Sequence, residues 1–287
     1  MSVLDGHGCK VGIVIATCDD GTTLLPTLDR LAALPERPPM VVVDNRGRPD
    51  LAAAIRAAGH TPPAVDIVTL ARDHGPVART IGARVLSTEL VAFCDDDSWF
   101  APGSLLRAAD RFARDPRLGL VQARVLVGSE ERLDSTCARL IGAPALLGFL
   151  ACGAVLRRRA LLQVGGFPDG SGFGGEERPV ALDLASAGWS LVYDPEVVAH
   201  HHPQPSARRE GRHRRTVRND LWSAWSRLPL QMAARQTAGA LRREPRAVAS
   251  ALIGLPHALR DRRRIPAAVA DALRAIDRHE RACATGP

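Results

Sequence analysis

Lysine is almost missing from this chain: of 38 basic residues, only Lys10 is a lysine. A glycine-rich, lysine-bearing phosphate loop after the first strand is therefore excluded. The dinucleotide fingerprint G-x-G-x-x-G is missing as well, because the first apolar run ends in Thr17-Cys18-Asp19-Asp20-Gly21. No apolar run approaches the eighteen or so residues of a spanning helix. Residues Met1 to Lys10 lack the apolar core of a signal peptide, so the expected location is cytoplasmic. Six cysteines (Cys9, Cys18, Cys94, Cys137, Cys152 and Cys283) show no C-x-x-C spacing. That argues against zinc and against a disulfide framework, and leaves them as small buried hydrophobes.

What is present is an ordinary globular composition, 46% hydrophobic and 24% charged over 287 residues, enough for a full core. The net charge of +7 conceals an asymmetry: residues 1–203 balance at −4, whereas residues 204–287 balance at +11. The split predicts a body over 1–203 and a basic helical extension over 204–287 with a different partner.

Val11 to Ala16 is β-branched and reads as a strand, followed by helical spacing at Leu24, Leu25, Leu28 and Leu31. Met40–Val43 and Val65–Leu70 are further strands, with helices at Leu51–Ala58 and Val77–Leu86. Val91 to Cys94 is the fourth strand and runs into Asp95-Asp96-Asp97-Ser98. This alternation predicts a doubly wound, mainly parallel α/β sheet whose polar strand ends face one crevice. Further on, the pattern predicts a helix at Ser104–Arg114 and strands at Gly119–Val127 and Cys152–Leu156. A helix follows at Arg159–Val164, then a loop with many glycines over 165–175, then a helix at Pro179–Ala187. Trp189–Tyr193 and Val197–Ala199 read as two more extended pieces, and residues 129–150 carry no clear pattern.

The three consecutive acids are the most informative feature. They repel one another unless a cation sits among them, and hard oxygen ligands suit Mg2+ or Mn2+ on a phosphate-bearing substrate. The simpler alternative is that Asp97 or Ser98 caps a helix beginning near Pro102. Thr17, Asp19 and Asp44, at the other strand ends, are each ordinary turn residues when taken singly. Together with the Asp95–Asp97 cluster they suggest a nucleotide site.

With these motifs in order, residues 9–203 resemble a family 2 glycosyltransferase. Ala16-Thr17-Cys18-Asp19 is similar to the family's P-T-Y-N segment, with Cys18 and Asp19 departing from it. Val43-Asp44-Asn45 resembles its V-D-N turn, and Ala78-Arg79-Thr80-Ile81-Gly82 its A-R-N-x-G helix start, with Thr80 in place of Asn. Phe93 to Asp97 resembles the D-x-D segment, and Gly165-Gly166-Phe167…Gly175-Glu176-Glu177…Leu182-Asp183-Leu184 resembles G-G-F…G-E-D-x-D-L.

The resemblance implies a GT-A type, Rossmann-like mixed sheet and inverting transfer of a sugar from a nucleoside-diphosphate donor to a hydroxyl acceptor. It implies donor contacts from Thr17, Asp19, Asp44, Arg79, Asp95 and Asp96, and Mg2+ or Mn2+ held by Asp97 with Asp95. It also implies a histidine completing the metal site, His200 first and His202 next, although His200 to His202 could equally form a solvated turn. The catalytic base implied is Glu177 or, as the second choice, Glu176. The transferred group would be a hexose or deoxyhexose, and the acceptor a lipid-linked molecule or a secondary metabolite. In the extension, Trp222 and Trp225 stand among arginines, the composition of a helix on the inner face of an anionic membrane or of a solvated appendage. Nucleic acid is the poorer partner, because no binding motif accompanies the arginines. A nucleotidyltransferase and a non-catalytic sugar-nucleotide-binding relic of the fold are the competing functions.

Overall fold

The computed structural model describes residues 10–18, 21–170, 172–203 and 211–285. The first part follows the predicted alternation: β1 (Val11–Thr17), α1 (Leu24–Ala32), β2 (Met40–Asp44), α2 (Pro49–Ala57), β3 (Val65–Thr69), α3 (Val77–Val85) and β4 (Leu90–Cys94). These four strands run parallel in the order β3-β2-β1-β4. β1, β2 and β4 are buried along their whole length, as expected of strands covered on both faces. Leu24, Leu28 and Leu31 of α1 and Ile55 of α2 pack on one face of the sheet. Ala78 and Ala83 of α3 pack on the other, against Val14 and Val43.

The chain then continues as β5 (Ser98–Phe100), α4 (Ser104–Arg114), β6 (Leu118–Val127), β7 (Arg132–Leu133), α5 (Ser135–Leu140), β8 (Ala154–Arg157), α6 (Arg158–Gln163), α7 (Glu177–Ser186) and β9 (Ser190–His201). Here the sheet becomes mixed. β8 is antiparallel to both β4 and β6, β9 lies parallel to β6, and β5 closes the edge antiparallel to β9.

Three expectations change. Asp97 and Ser98 do not cap a helix near Pro102: Ser98 opens β5, its Oγ accepts a hydrogen bond from the Asp95 amide at 2.7 Å, and α4 starts only at Ser104. Residues 151–153 form a 3-10 turn before β8, so the strand starts at Ala154 and not at Cys152. The two extended pieces around Tyr193 and Val198 are one strand, β9. A register shift against β6 accommodates Pro195 there, and Asp194 accepts from the Glu196 amide.

Among the described residues four helices follow: α8 (Arg212–Arg227), α9 (Leu230–Arg243), α10 (Pro245–Arg260) and α11 (Ala267–Thr285). Their apolar faces join the body. Ala224, Leu228, Ala233, Ile265 and Leu273 form one cluster with Leu147 and with Leu182 of α7. Arg227 grips Asp183 with two hydrogen bonds, of 2.6 and 2.9 Å, a bidentate pair across the same contact. The tryptophans expected at a membrane surface turn inward instead: Trp222 Nε1 donates to the Ala251 carbonyl and Trp225 Nε1 to Thr237 Oγ1. An indole packed between helices satisfies its single donor there. Among the described residues, no helix is long and apolar enough to cross a membrane.

Candidate active site

The carboxyl ends of β1, β2 and β4 bring the predicted acids together, each with a different partner. Asp44, buried at the end of β2, accepts from the amides of Arg46 and Arg48 and so shapes the turn into α2. Asn45 beside it donates to Asp73 and to the Gly75 carbonyl, tying β2 to the loop before α3. Thr17 Oγ1 donates to Asp96 at 2.7 Å, and Thr27 Oγ1 to the Asp96 carbonyl, which anchors the acid turn onto β1 and α1. Asp19 lies outside the described residues.

Arg79 is the hub of the site. It is 3% exposed, and its two Nη atoms bind Asp95 Oδ1 at 2.6 Å and Glu176 Oε1 at 3.0 Å. Burial alone would weaken the guanidinium's hold on its proton, but Asp95, Glu176 and Glu177 together keep it charged. Burial likewise pushes Asp95 up, and Arg79 and His201 more than offset it, leaving this carboxyl below its ordinary range. Arg79 Nε is buried without a hydrogen-bond partner, a donor still to be satisfied.

The opposite wall is the glycine loop before α7. Thr80 Oγ1 accepts from the Phe167 amide at 2.9 Å, and a Cβ at Gly166 would lie 2.3 Å from that oxygen, so only glycine fits. The departure from Asn at position 80 thus has a function here: the hydroxyl seats the loop. Phe167 packs edge-on against Phe93 of β4. Further along, Glu176 Oε2 accepts from the Gly174 amide at 2.5 Å while its other oxygen holds Arg79, so both oxygens are engaged. Glu177, the first residue of α7, is partly covered. Burial, then the neighbouring Glu176 charge, push its carboxyl up to about 8, against the opposing pull of Arg79. A carboxyl titrating there serves proton transfer near neutral pH.

Of the three histidines, the structure brings His201 to the acids. Its Nε2 stands 3.3 Å from Asp97 Oδ1. Burial lowers its proton affinity, but the hydrogen bond and charge of Asp97 outweigh that and raise it. His200 and His202 sit with Trp99, ring centroids 5.6 and 4.7 Å away. The reason is the period of two along a strand: adjacent residues of β9 face opposite sides. Asp95, His201 and Cys152 each place one ligand atom within 4.8 Å of the others. Burial drives the Cys152 thiol well up, so it keeps its proton and is a poor ligand for a hard cation. That leaves Asp95 as the hard oxygen ligand of the cluster and His201 as its imidazole, with Asp97 beside His201 but outside the three-residue group.

Sequence reasoning therefore gathered Thr17, Arg79, Asp95, Asp96, Asp97, Glu176 and Glu177 at one site. It preferred His200 and His202 to His201, read Ser98 as a helix cap, and missed the seat that Thr80 makes for the loop. Strand parity would have separated His201 from its neighbours once the strand start was known; the contact of Ser98 with the Asp95 amide depends on β5, which no local pattern marks.

Residues 12–174 match the profile of glycosyl transferase family 2. No curated protein sequence matches the chain. Three of the solved structures that share its fold illustrate the likeness. A mannosyltransferase, PcManGT, from Pyrobaculum calidifontis, in complex with GDP-Man and Mn2+, is 22% identical with a TM-score of 0.61, over 97% of this chain and 76% of that one. GalNAc-T7 with UDP, GalNAc and Mn2+ is 15% identical with a TM-score of 0.56, over 75% of this chain and 47% of that one. S. aureus TarS 1-349 is 12% identical with a TM-score of 0.62, over 87% of this chain and 80% of that one. The motifs, the mixed sheet and the profile spanning more than half of the chain agree, and the protein belongs to glycosyl transferase family 2.

Proposed function

We propose that the protein transfers a hexosyl or deoxyhexosyl group from a nucleoside-diphosphate sugar to a hydroxyl acceptor, with inversion at the anomeric carbon. The observation that carries this reading is the pair of unlike walls. Asp95, Asp97 and His201 stand at the strand ends, and Glu177, with its raised proton affinity, opens α7 within electrostatic reach of Arg79 and Asp95. Asp44, Thr17 and Asp96 line the donor side, and Arg79 orders Asp95 and Glu176 between the two walls. Glu177 accepts the proton of the acceptor hydroxyl as its oxygen attacks the anomeric carbon. The bond to the diphosphate breaks on the far side, which gives inversion. Mg2+ or Mn2+ bound by Asp95, Asp97 and His201 would supply positive charge for the departing diphosphate. Glu176, with both oxygens engaged, positions Arg79 and the loop and leaves the proton transfer to Glu177.

Residues 1–203 form the catalytic domain in this reading, and residues 204–287 form a cytoplasmic extension that meets an anionic membrane surface. The membrane contact falls on α10. Leu252, Ile253 and Leu259 are 59%, 85% and 42% exposed, with Arg246 and Arg260 exposed on the same helix. Such a contact suits a lipid-linked acceptor.

Calorimetric titration of a panel of nucleoside diphosphates, with and without Mn2+, on the wild type and Asp97→Ala tests the donor site. Metal-dependent binding of one nucleotide, lost in the variant, is expected. Binding with no turnover of any donor sugar would favour the non-catalytic relic, and no binding at all would overturn the reading.

A further inference from the structure

The wall that carries Glu177 needs support from outside itself. Gly174 and Gly175, just before α7, have φ of +114° and +86°, a region open to glycine and costly for other residues. Glycine has the most backbone freedom to lose, so a carboxylate that follows two of them is held only as firmly as their tertiary contacts.

Those contacts come from α8. Thr216, Asn219 and Asp220 are spaced i, i+3 and i+4 and so share one face of the helix. A Cβ on Gly174 would lie 2.7 Å from Thr216 Oγ1, and one on Gly175 would lie 3.3 Å from Asp220 Oδ1. Asn219, 4% exposed, donates from Nδ2 to the Gly174 carbonyl at 2.7 Å. Its Oδ1 accepts from Arg218 Nε and Nη2 at 3.1 and 3.0 Å, which turns the amide nitrogen toward the loop. Arg218 in turn lies over the Trp222 ring, 4.4 Å from its centroid, and Trp222 is tied to the Ala251 carbonyl of α10. On its other side, the Gly174 amide donates to Glu176, which holds Arg79. Gly174 is therefore held at both its polar groups, the carbonyl by α8 and the amide by Glu176.

We infer that Asn219 is a positioning residue for the transfer: it docks α8 on the glycine loop, so that Glu176 stays on Arg79 and Glu177 is presented in place at the start of α7. The inference rests on the reading of Glu177 given above. It gives the basic extension a part in the chemistry through one buried amide, a role that its membrane contact does not require.

The test compares the full chain as wild type, Asn219→Ala, Asn219→Asp and Trp225→Phe. Asn219→Asp keeps an acceptor for Arg218 and turns the donor facing the Gly174 carbonyl into an oxygen. Trp225→Phe is the control, because it also removes one side-chain hydrogen bond of α8, made to Thr237 of α9 and not to the loop. Amide hydrogen exchange over residues 172–178 should speed up about tenfold in both Asn219 variants, the size of one lost hydrogen bond, and keep the wild-type rate in Trp225→Phe. Turnover is read as nucleoside diphosphate released when water replaces the acceptor, over a panel of UDP-, GDP- and dTDP-sugars with Mn2+. Here kcat should fall about 10- to 100-fold in the Asn219 variants, the cost of a displaced catalytic group, while the donor KM moves less than about threefold. Trp225→Phe should lower Tm by a similar amount and leave kcat within about twofold. Unchanged exchange or unchanged kcat in Asn219→Ala, an equal fall of kcat in Trp225→Phe, or a loss confined to KM would overturn the inference and leave the donor site standing. A wild type that hydrolyses none of these sugars would overturn the function proposed above, and this inference with it.

Discussion

The two walls of the site treat their acids in opposite ways. At the strand ends every acid described is compensated: Asp44 by two backbone amides, Asp95 by Arg79, Asp96 by Thr17, and Asp97 by His201. On the loop wall, Glu176 is compensated by Arg79 and Gly174, and its charge then falls on Glu177. Two adjacent glutamates of the same chemistry thus acquire different surroundings through one arginine within reach of both. In the proposed reading the strand wall binds, and the loop wall keeps Glu177 poised to take a proton.

The sharpest way to break the contrast is Glu177→Gln. It should lower kcat about 10²- to 10⁴-fold, the worth of a general base, while the Kd for the nucleoside diphosphate stays within about twofold. A donor affinity that collapsed together with kcat would show Glu177 on the binding wall. Next comes Arg79→Met, which leaves Asp95 and Glu176 uncompensated in the interior. Thermal unfolding should report a loss of about 3–5 kcal/mol, as for one partner removed from a buried ion pair. An unchanged Tm would mean that the hub carries no stability.

A smaller and more selective change tests the coupling of the two glutamates. As a free-enzyme base, Glu177 must be ionised, so kcat/KM for the acceptor should climb as pH rises through about 8 and level off above it. Removing the Glu176 charge takes away one of the causes that hold Glu177 up, so Glu176→Gln should move that limb to lower pH. A limb that stayed in place would assign it to another group. The smallest effect is expected far from both walls. Ile253→Glu should reduce co-sedimentation with anionic vesicles several-fold and leave turnover of a soluble acceptor unchanged. Sedimentation independent of anionic lipid would remove the membrane contact.

The legibility of the sequence follows the same divide. The parallel half could be read almost element by element, because buried strands are continuous apolar runs and each alternates with a helix of clear period. Arg79 and the acids from Asp95 to Asp97 could be read there too, since strand ends in such a sheet converge on one crevice. The mixed half was harder. β5 is three residues long, and only its pairing with β9 makes it a strand, so Ser98 looked like a helix cap. Pro195 broke β9 into two pieces in the pattern, although a bulge carries the strand through. The histidines failed for a related reason: choosing among three consecutive residues requires the parity of a strand, and parity is set by pairing partners distant in sequence.

The sequence by itself determined the alternating parallel sheet, the acid cluster at its fourth strand, the glycine loop with its two glutamates, and the basic extension. All of these are written in local period and composition. Tertiary structure decided which histidine meets Asp97, which glutamate is neutralised by Arg79, and where α8 sits against Gly174. Those are contacts between residues 45 or more positions apart in the chain, and one buried guanidinium placed among carboxylates sets proton affinities that no single segment encodes.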